Sequence, residues 1–484
     1  MYAGIDLGST NLKCAVYDES MTLKARLSCP VQYEKSSEFV EFNAEKYVQD
    51  LLQLIRDTLK KAGSNDLKGM AFTGQAETLV VLGQDGMPLM NAISWMDERS
   101  KEECAMLSEK FSHEECEAKT GQMAVLPTWP ATKILWLKHN RPDVYENAAT
   151  YMLLKDYVVF CLTGKKLSDM SIATFSFYFD IYNKCYWKEM LEAIGVDESK
   201  LPPLTEPCTV AGPVTPEIAD ALAVPASCFV NVGTLDHFAG MIGTGNIEPG
   251  GITLSTGTVM AMATMCQNPV PKSSGIAMHY GFLPDTYIML PVAESGGVSL
   301  EWFRRTCMKD VSFRTIDDTL MKRGSNDLIF LPYLVGTNAP EFDTDASGVF
   351  FGLRDQHDAF DMAEAVMEGV SFVLRRNTDQ MAKNGSRPRS IIATGGGAKS
   401  PVWCQLQASI TGLPVEIPTE KEAACLGAAM ISAVSGGTFG CLKCAAKACV
   451  KMDYTYKPFP TDRLEKKYQK FNALYEAMIR ITRM

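Results

Sequence analysis

The stretch Met1-Tyr-Ala-Gly-Ile-Asp-Leu-Gly-Ser-Thr-Asn-Leu-Lys-Cys-Ala-Val-Tyr17 decides how this chain is read. An apolar run reaches Asp6, the residues Gly8, Ser9, Thr10 and Asn11 turn the chain, and Leu12 to Tyr17 lead back, which predicts a β-hairpin. Such a tip suits phosphate. Gly8 lets backbone come close to an anion, Ser9, Thr10 and Asn11 can donate to phosphate oxygens, and Asp6 can hold a hydrated Mg²⁺. Taken alone, the stretch is equally well explained as an ordinary glycine turn.

The chain around it has 484 residues, more than one typical core accommodates, so two domains are expected. Hydrophobic residues make up 46% and charged residues 21%, with a formal charge of -10 and no basic stripe, which argues against a nucleic-acid partner. The chain opens on a strand and not on a basic segment followed by an apolar one, so an export signal is not expected, and the longest uncharged stretches, 249–271 and 423–442, are broken by Gly, Ser, Thr and Pro. A cytoplasmic protein without a membrane span is the expectation. The fifteen cysteines are dispersed and read as reduced thiols. Cys441 and Cys444 have the spacing of a zinc or redox pair, but no second pair or nearby His completes four zinc ligands.

Beyond the hairpin, Asn43 is placed as the N-cap and Gly63 as the stop of a helix whose apolar residues run from Tyr47 to Leu59. Strands at 68–72 and 79–82 flank the polar run Thr73-Gly-Gln-Ala-Glu-Thr78, and 92–97 ends at Trp95-Met-Asp97. The segment from 98 to about 185 reads as a helical insertion walling a cleft. An apolar strand at 228–232 ends at Gly233-Thr-Leu-Asp-His237, so an Asp again follows a strand. Polar clusters at strand ends describe an α/β sheet whose ligands bind along one edge.

At Gly251-Ile-Thr-Leu-Ser-Thr-Gly-Thr-Val-Met-Ala-Met262 the opening pattern restarts, which predicts a duplicated unit and a second phosphate hairpin. Helices are expected from Gly296-Gly297 onward and over 359–382. Strand 390–394, the loop Gly395-Gly-Gly-Ala-Lys-Ser400 and a helix from Pro401 form the arrangement that receives a nucleotide. The small-residue run 422–430 is read as a closely packed helix, and a last amphipathic helix ends the chain.

Together these segments resemble the FGGY family of carbohydrate kinases: Gly4-Ile-Asp-Leu-Gly-Ser-Thr10, Gly233-Thr-Leu-Asp236, Leu254-Ser-Thr-Gly-Thr258 and Gly395-Gly-Gly-Ala398, in the family's order. Trp95-Met-Asp-Glu-Arg99, Lys155-Asp-Tyr157, Ser168-Asp-Met-Ser171 and Phe330-Leu-Pro-Tyr-Leu-Val-Gly336 agree as well. The resemblance spans nearly the whole chain. It implies an α/β fold of two ribonuclease-H-like domains flanking a cleft, 1–245 for sugar and catalytic base and 246–484 for nucleotide. It further implies transfer of the γ-phosphoryl of Mg·ATP to a hydroxyl of a small uncharged sugar, a ketopentose such as xylulose first of all.

By the same resemblance Asp236 is the base, with a helix cap as its other reading, and Asp6 serves Mg²⁺. Gly8, Ser9, Thr10, Asn11, Thr256, Gly257 and Thr258 serve the phosphates, and Gly297, Gly396, Gly397 and Ala398 the nucleotide. Lys13 either reaches a phosphate or leaves for solvent. Gln75, Glu77, Trp95, Thr128 and His237 are the sugar-side candidates, Trp95 having a core aromatic as its alternative. Where xylulokinases usually carry Met-His this chain has Ala76-Glu77, and where glycerol kinases carry Arg it has Ala76. A glycerol or tetritol kinase, or a non-catalytic sugar-binding regulator of the same fold, therefore stands as the alternative. The oligomeric state is open, a homodimer being one option.

Overall fold

The computed structural model describes residues 1–268, 275–459 and 461–484, so the uncharged stretch 249–271 ends outside the described residues. Its architecture is mixed α/β and is built on two sheets. The first contains β1 (Tyr2–Leu7), β2 (Asn11–Tyr17), β3 (Leu23–Pro30), β4 (Gly69–Gly74), β5 (Val210–Pro213) and β6 (Phe229–Leu235) in the order β5-β6-β4-β1-β2-β3. The second contains β7 (Gly251–Thr256), β8 (Met260–Cys266), β9 (Met278–Tyr280), β10 (Tyr287–Met289), β11 (Ser390–Gly395), β12 (Val415–Pro418) and β13 (Met452–Tyr456). Their order is β9-β10-β8-β7-β11-β12-β13, with Val292–Ala293 added beside β8.

The repeat expected from sequence is a structural repeat. β1 and β2 pair antiparallel from Tyr2 opposite Tyr17 to Leu7 opposite Leu12, while β1 also pairs parallel with β4. In the same way β7 pairs antiparallel with β8 and parallel with β11, with Thr256 opposite Gly395. That register brings the glycine cluster at 395–397 onto the second hairpin tip.

Helix α1 (Ala44–Ala62) starts where Asn43 accepts the Lys46 amide and ends at Gly63 in a left-handed conformation, the two signals read from sequence. Along the chain follow α2 (Pro130–Asn140), α3 (Leu154–Thr163), α4 (Asp236–Gly243), α5 (Gly297–Cys307), α6 (Ala359–Lys383), α7 (Pro401–Thr411), α8 (Ala423–Ser435), α9 (Leu442–Cys449) and α10 (Asp462–Thr482). The segment 98–185 is not wholly helical. Thr150–Leu153 is a strand paired with Leu79–Leu82, a four-residue apolar run whose period does not distinguish strand from helix. Within the apolar run 328–334 only Ile329–Leu331 is strand.

The small-residue helix α8 joins the two halves. A Cβ on Gly427 would stand 1.9 Å from the Ala239 carbonyl oxygen of α4, and one on Gly243 would stand 1.8 Å from that of Ala423. The two helices therefore cross backbone to backbone. Phe238, Met241 and Ile242 of α4 share one buried cluster with Leu426, Ala429 and Met430 of α8.

Candidate active site

Asp236 begins α4, directly after β6, and that position is engineered by the backbone before it. Gly233 has φ +68°, where a Cβ would fall 1.6 Å from the Phe72 carbonyl oxygen, and the pairing of β6 with β4 slips between Asn231 and Thr234. This bulge re-aims the end of the strand. Asp236 is not an N-cap in the usual sense: it is the first helical residue, and its Oδ1 accepts the His237 amide at 2.6 Å.

Buried polar groups hold this strand end. Lys155 donates to the Val232 carbonyl at 2.8 Å and is ion-paired with Asp169. The Ser171 hydroxyl lies 2.8 Å from Thr234 Oγ1 and accepts the Leu235 amide at 3.3 Å. The segments 155–157 and 168–171, matched above only by likeness, are thus the supports of the strand that carries Asp236.

Asp6 is the penultimate residue of β1 and is 8% exposed. Burial first, and then the charge of Asp236, push its carboxyl up to about 7, with Lys13 working against them and Glu422 adding to them. Two carboxylates therefore share one small volume. The Lys13 ammonium donates to Glu422 Oε2 at 2.7 Å and lies 3.9 Å from Asp6. Glu422 immediately precedes α8, so this ion pair ties the first hairpin to the other half of the chain.

Among the residues expected on the sugar side, Glu77 has φ +62°, a left-handed backbone rare for a non-glycine residue and concentrated at functional sites. Burial pushes its carboxyl up to about 7, offset by Lys133 and by a hydrogen bond from Thr128. Lys133 of α2 is fully buried and donates to the carbonyls of Glu77 at 3.1 Å and Ser94 at 2.8 Å; burial pulls its ammonium down to about 8. Trp95, whose amide donates to Thr78 Oγ1 at 3.1 Å, is 39% exposed, which removes the core-aromatic reading. Gln75 is buried: its amide donates to the Leu7 carbonyl and its side-chain oxygen accepts from Thr78, so it braces this turn against β1.

His237 stands close to a residue that sequence reading missed. His279 of β9 is 2% exposed, stacks on Phe175 at 4.5 Å between centroids, and has Nδ1 3.2 Å from the Gln122 side-chain nitrogen. Burial, helped by His237, pulls its imidazole down to about 3. The unfolded chain protonates His279 near 6.5 but the folded chain does not until about 3, so its stabilising share is complete above 6.5 and is lost as pH falls toward 3. Between pH 6.5 and 5 the loss amounts to about 2 kcal/mol. Urea unfolding at both pH values should show His279→Gln sparing about that much of the acid loss; an equal loss in both proteins would show that His279 charges in the fold.

The second hairpin lines a cavity of about 820 Å³ with Thr256, Gly257, Thr258, Gly297, Gly396 and Gly397, six of the residues expected at the nucleotide. The Gly297 and Val298 amides at the start of α5 donate to the Gly257 and Thr258 carbonyls at 2.8 and 3.1 Å. The helix start thus fixes the hairpin tip and is spent in doing so. Ala398 is absent from the cavity wall and packs on the C-terminal core instead. Phe313 and Met321 also line the cavity, 46% and 59% exposed, and give it an apolar face that the sequence pattern did not flag. At the first hairpin, Gly8, Ser9, Thr10 and Asn11 stand at the tip as read, Thr10 exposed and its carbonyl bonded to the Val31 amide.

A duplicated hairpin unit, a crossed helix pair between the halves, an acidic pocket and a glycine-walled cavity define a class, the two-domain ribonuclease-H-like phosphotransferases. Residues 1–243 match the N-terminal domain of the FGGY family of carbohydrate kinases and residues 252–436 its C-terminal domain. The chain belongs to the FGGY family of carbohydrate kinases, and is a sugar kinase.

Among similar proteins is the xylulose kinase of Lactococcus lactis subsp. lactis (strain IL1403), 30% identical over 98% of this chain and 96% of its own length. Two crystal structures from Lactobacillus acidophilus, one of a ligand-bound xylulose kinase and one of a gluconate kinase, each superpose with a TM-score of 0.90 at 26% identity. Each comparison covers 99% of this chain and 97% of the other. Among the described residues no helix is long and apolar enough to cross a membrane.

Proposed function

We propose that this enzyme transfers the γ-phosphoryl of ATP to a hydroxyl of an uncharged five-carbon ketose, xylulose before others. Residues 1–245 supply the sugar side and the base, and 246–484 the nucleotide side. The relatives named xylulose kinase support the substrate class over the full length of the chain. The observation that carries the choice is Glu77, a carboxyl that accepts a hydrogen bond from Thr128. In its ionised form, which Lys133 and Thr128 favour, Glu77 accepts hydrogen bonds from neutral hydroxyls and repels an anionic sugar acid, and Ala76 leaves room that an Arg would fill.

In this reading Asp236 takes the proton of the attacking hydroxyl, Trp95, Thr128, Gln75, Glu77 and His237 orient the sugar, and the two hairpins hold the phosphates. Thr256, Gly257 and Thr258 grip the nucleotide's phosphates while Gly396 and Gly397 allow its close approach. The donor set fits Mg²⁺: Asp6 feels the carboxylates of Asp236 and Glu422, and at Gly8 a Cβ would stand 2.7 Å from the Asn11 carbonyl oxygen, so the glycine keeps the tip beside Asp6 tight. One or two carboxylates are what Mg²⁺ takes from a protein when phosphates and waters complete its shell, and Asp6 would hold it there to neutralise phosphate charge.

A coupled ADP-release assay across ketopentoses, glycerol and gluconate tests the substrate. The expected outcome is a kcat/KM for xylulose at least about tenfold above glycerol and gluconate, a preference of about 1.4 kcal/mol or more. Gluconate as the best substrate, or glycerol ahead of every ketopentose, would refute the reading of Glu77 and Ala76 while leaving the kinase class intact.

A further inference from the structure

Cys441 and Cys444 have no part in the site described above. Cys441 is the N-cap of α9; its sulfur accepts the Cys444 amide at 3.3 Å, and the two Sγ atoms lie 3.0 Å apart. Both are free thiols and both are exposed. A zinc site is not supported, because no group of three or more His, Cys, Asp or Glu that could hold a metal occurs among the described residues. Two solvent-facing sulfurs within reach of each other in the first turn of a helix are the geometry of thiol–disulfide exchange.

We propose that Cys441 and Cys444 are a site of reversible oxidation by external disulfides, closing to an intramolecular disulfide. The Cys441 thiolate attacks one sulfur of an external disulfide RS–SR, forming Cys441–S–SR and releasing RS⁻. The Cys444 thiol gives its proton to solvent and attacks the Cys441 sulfur, releasing the second RS⁻. Two protein thiols lose two electrons and the external disulfide gains them.

The roles are unequal for a physical reason. Cys441 is held below the ordinary thiol range by the Cys444 thiol, the Cys444 amide and Lys443, whereas Cys444 is raised by its neighbour. Cys441 is therefore the attacking sulfur and Cys444 the resolving one. Cys185, also exposed, is raised by burial and serves as an internal reference.

The test uses the reduced full chain at pH 7. With limiting iodoacetamide, peptide mapping should find Cys441 alkylated faster than Cys185, since the thiol held lower carries the larger thiolate fraction. With glutathione disulfide, a peptide linked through Cys441 and Cys444 should form, and Cys444→Ser should instead stop at glutathione on Cys441. The proposal is overturned if Cys441 reacts no faster than Cys185, or if the linked peptide forms no faster in the folded chain than in guanidinium chloride.

Discussion

Asp236→Asn should fold, bind sugar and ATP, and turn over roughly 10²- to 10⁴-fold more slowly, the loss expected when a general base is removed. The fold should survive because the one hydrogen bond that Asp236 accepts among the described residues, from the His237 amide at 2.6 Å, can be accepted equally by an Asn oxygen. Strand β6 is held from behind by Lys155, Ser171 and Asn231, none of which bonds to the Asp236 side chain. What Asn cannot do is accept a proton at the attacking hydroxyl. The substitution also removes one of the two carboxylates crowding Asp6, so ligand-free stability should not fall. Steady-state kinetics with calorimetry of sugar binding checks both halves. A variant with wild-type kcat would remove Asp236 from the chemistry.

Gly257→Val should cost ATP on the order of tenfold to a hundredfold in affinity, about 1.4 to 2.8 kcal/mol, and sugar almost nothing. The nearest atom to a Cβ at Gly257 is the Val259 carbonyl oxygen at 4.0 Å, so the valine finds open space within the protein. That space is the 820 Å³ cavity itself. Its backbone bonds, amide to Val259 and carbonyl from Gly297, need no glycine. Thr256→Val, which removes a buried hydroxyl and keeps the shape, should act in the same direction with a smaller effect. Calorimetry showing equal losses for sugar and ATP would move this hairpin away from the nucleotide.

The parts of the site legible in sequence are those fixed by local chain chemistry. Each hairpin announces itself through a glycine turn between apolar runs, α1 through Asn43 and Gly63, and the loop on the second hairpin through Gly395-Gly-Gly before Pro401. The parts that were not legible come from contacts between distant segments. Lys13 meets Glu422 across 409 residues, and His279 meets Gln122 across 157. No periodicity records such a partner. Phe313 and Met321 look like any apolar residues of a short helix and its end, and only the cavity beside them shows what they face. Lys133 is different, because a lysine among Ala131, Ile134, Leu135 and Leu137 on a buried helix was a visible anomaly and a pointer to Glu77.

The account stands most directly on phosphoryl transfer to sugar, and ³¹P NMR of the wild-type enzyme with Mg·ATP and xylulose measures it. As ATP is converted to ADP, a phosphate monoester of the sugar should appear in equal amount, and with Asp236→Asn both signals should slow together. ATP consumed to inorganic phosphate with no sugar ester, or no consumption with any ketose or polyol, would contradict it.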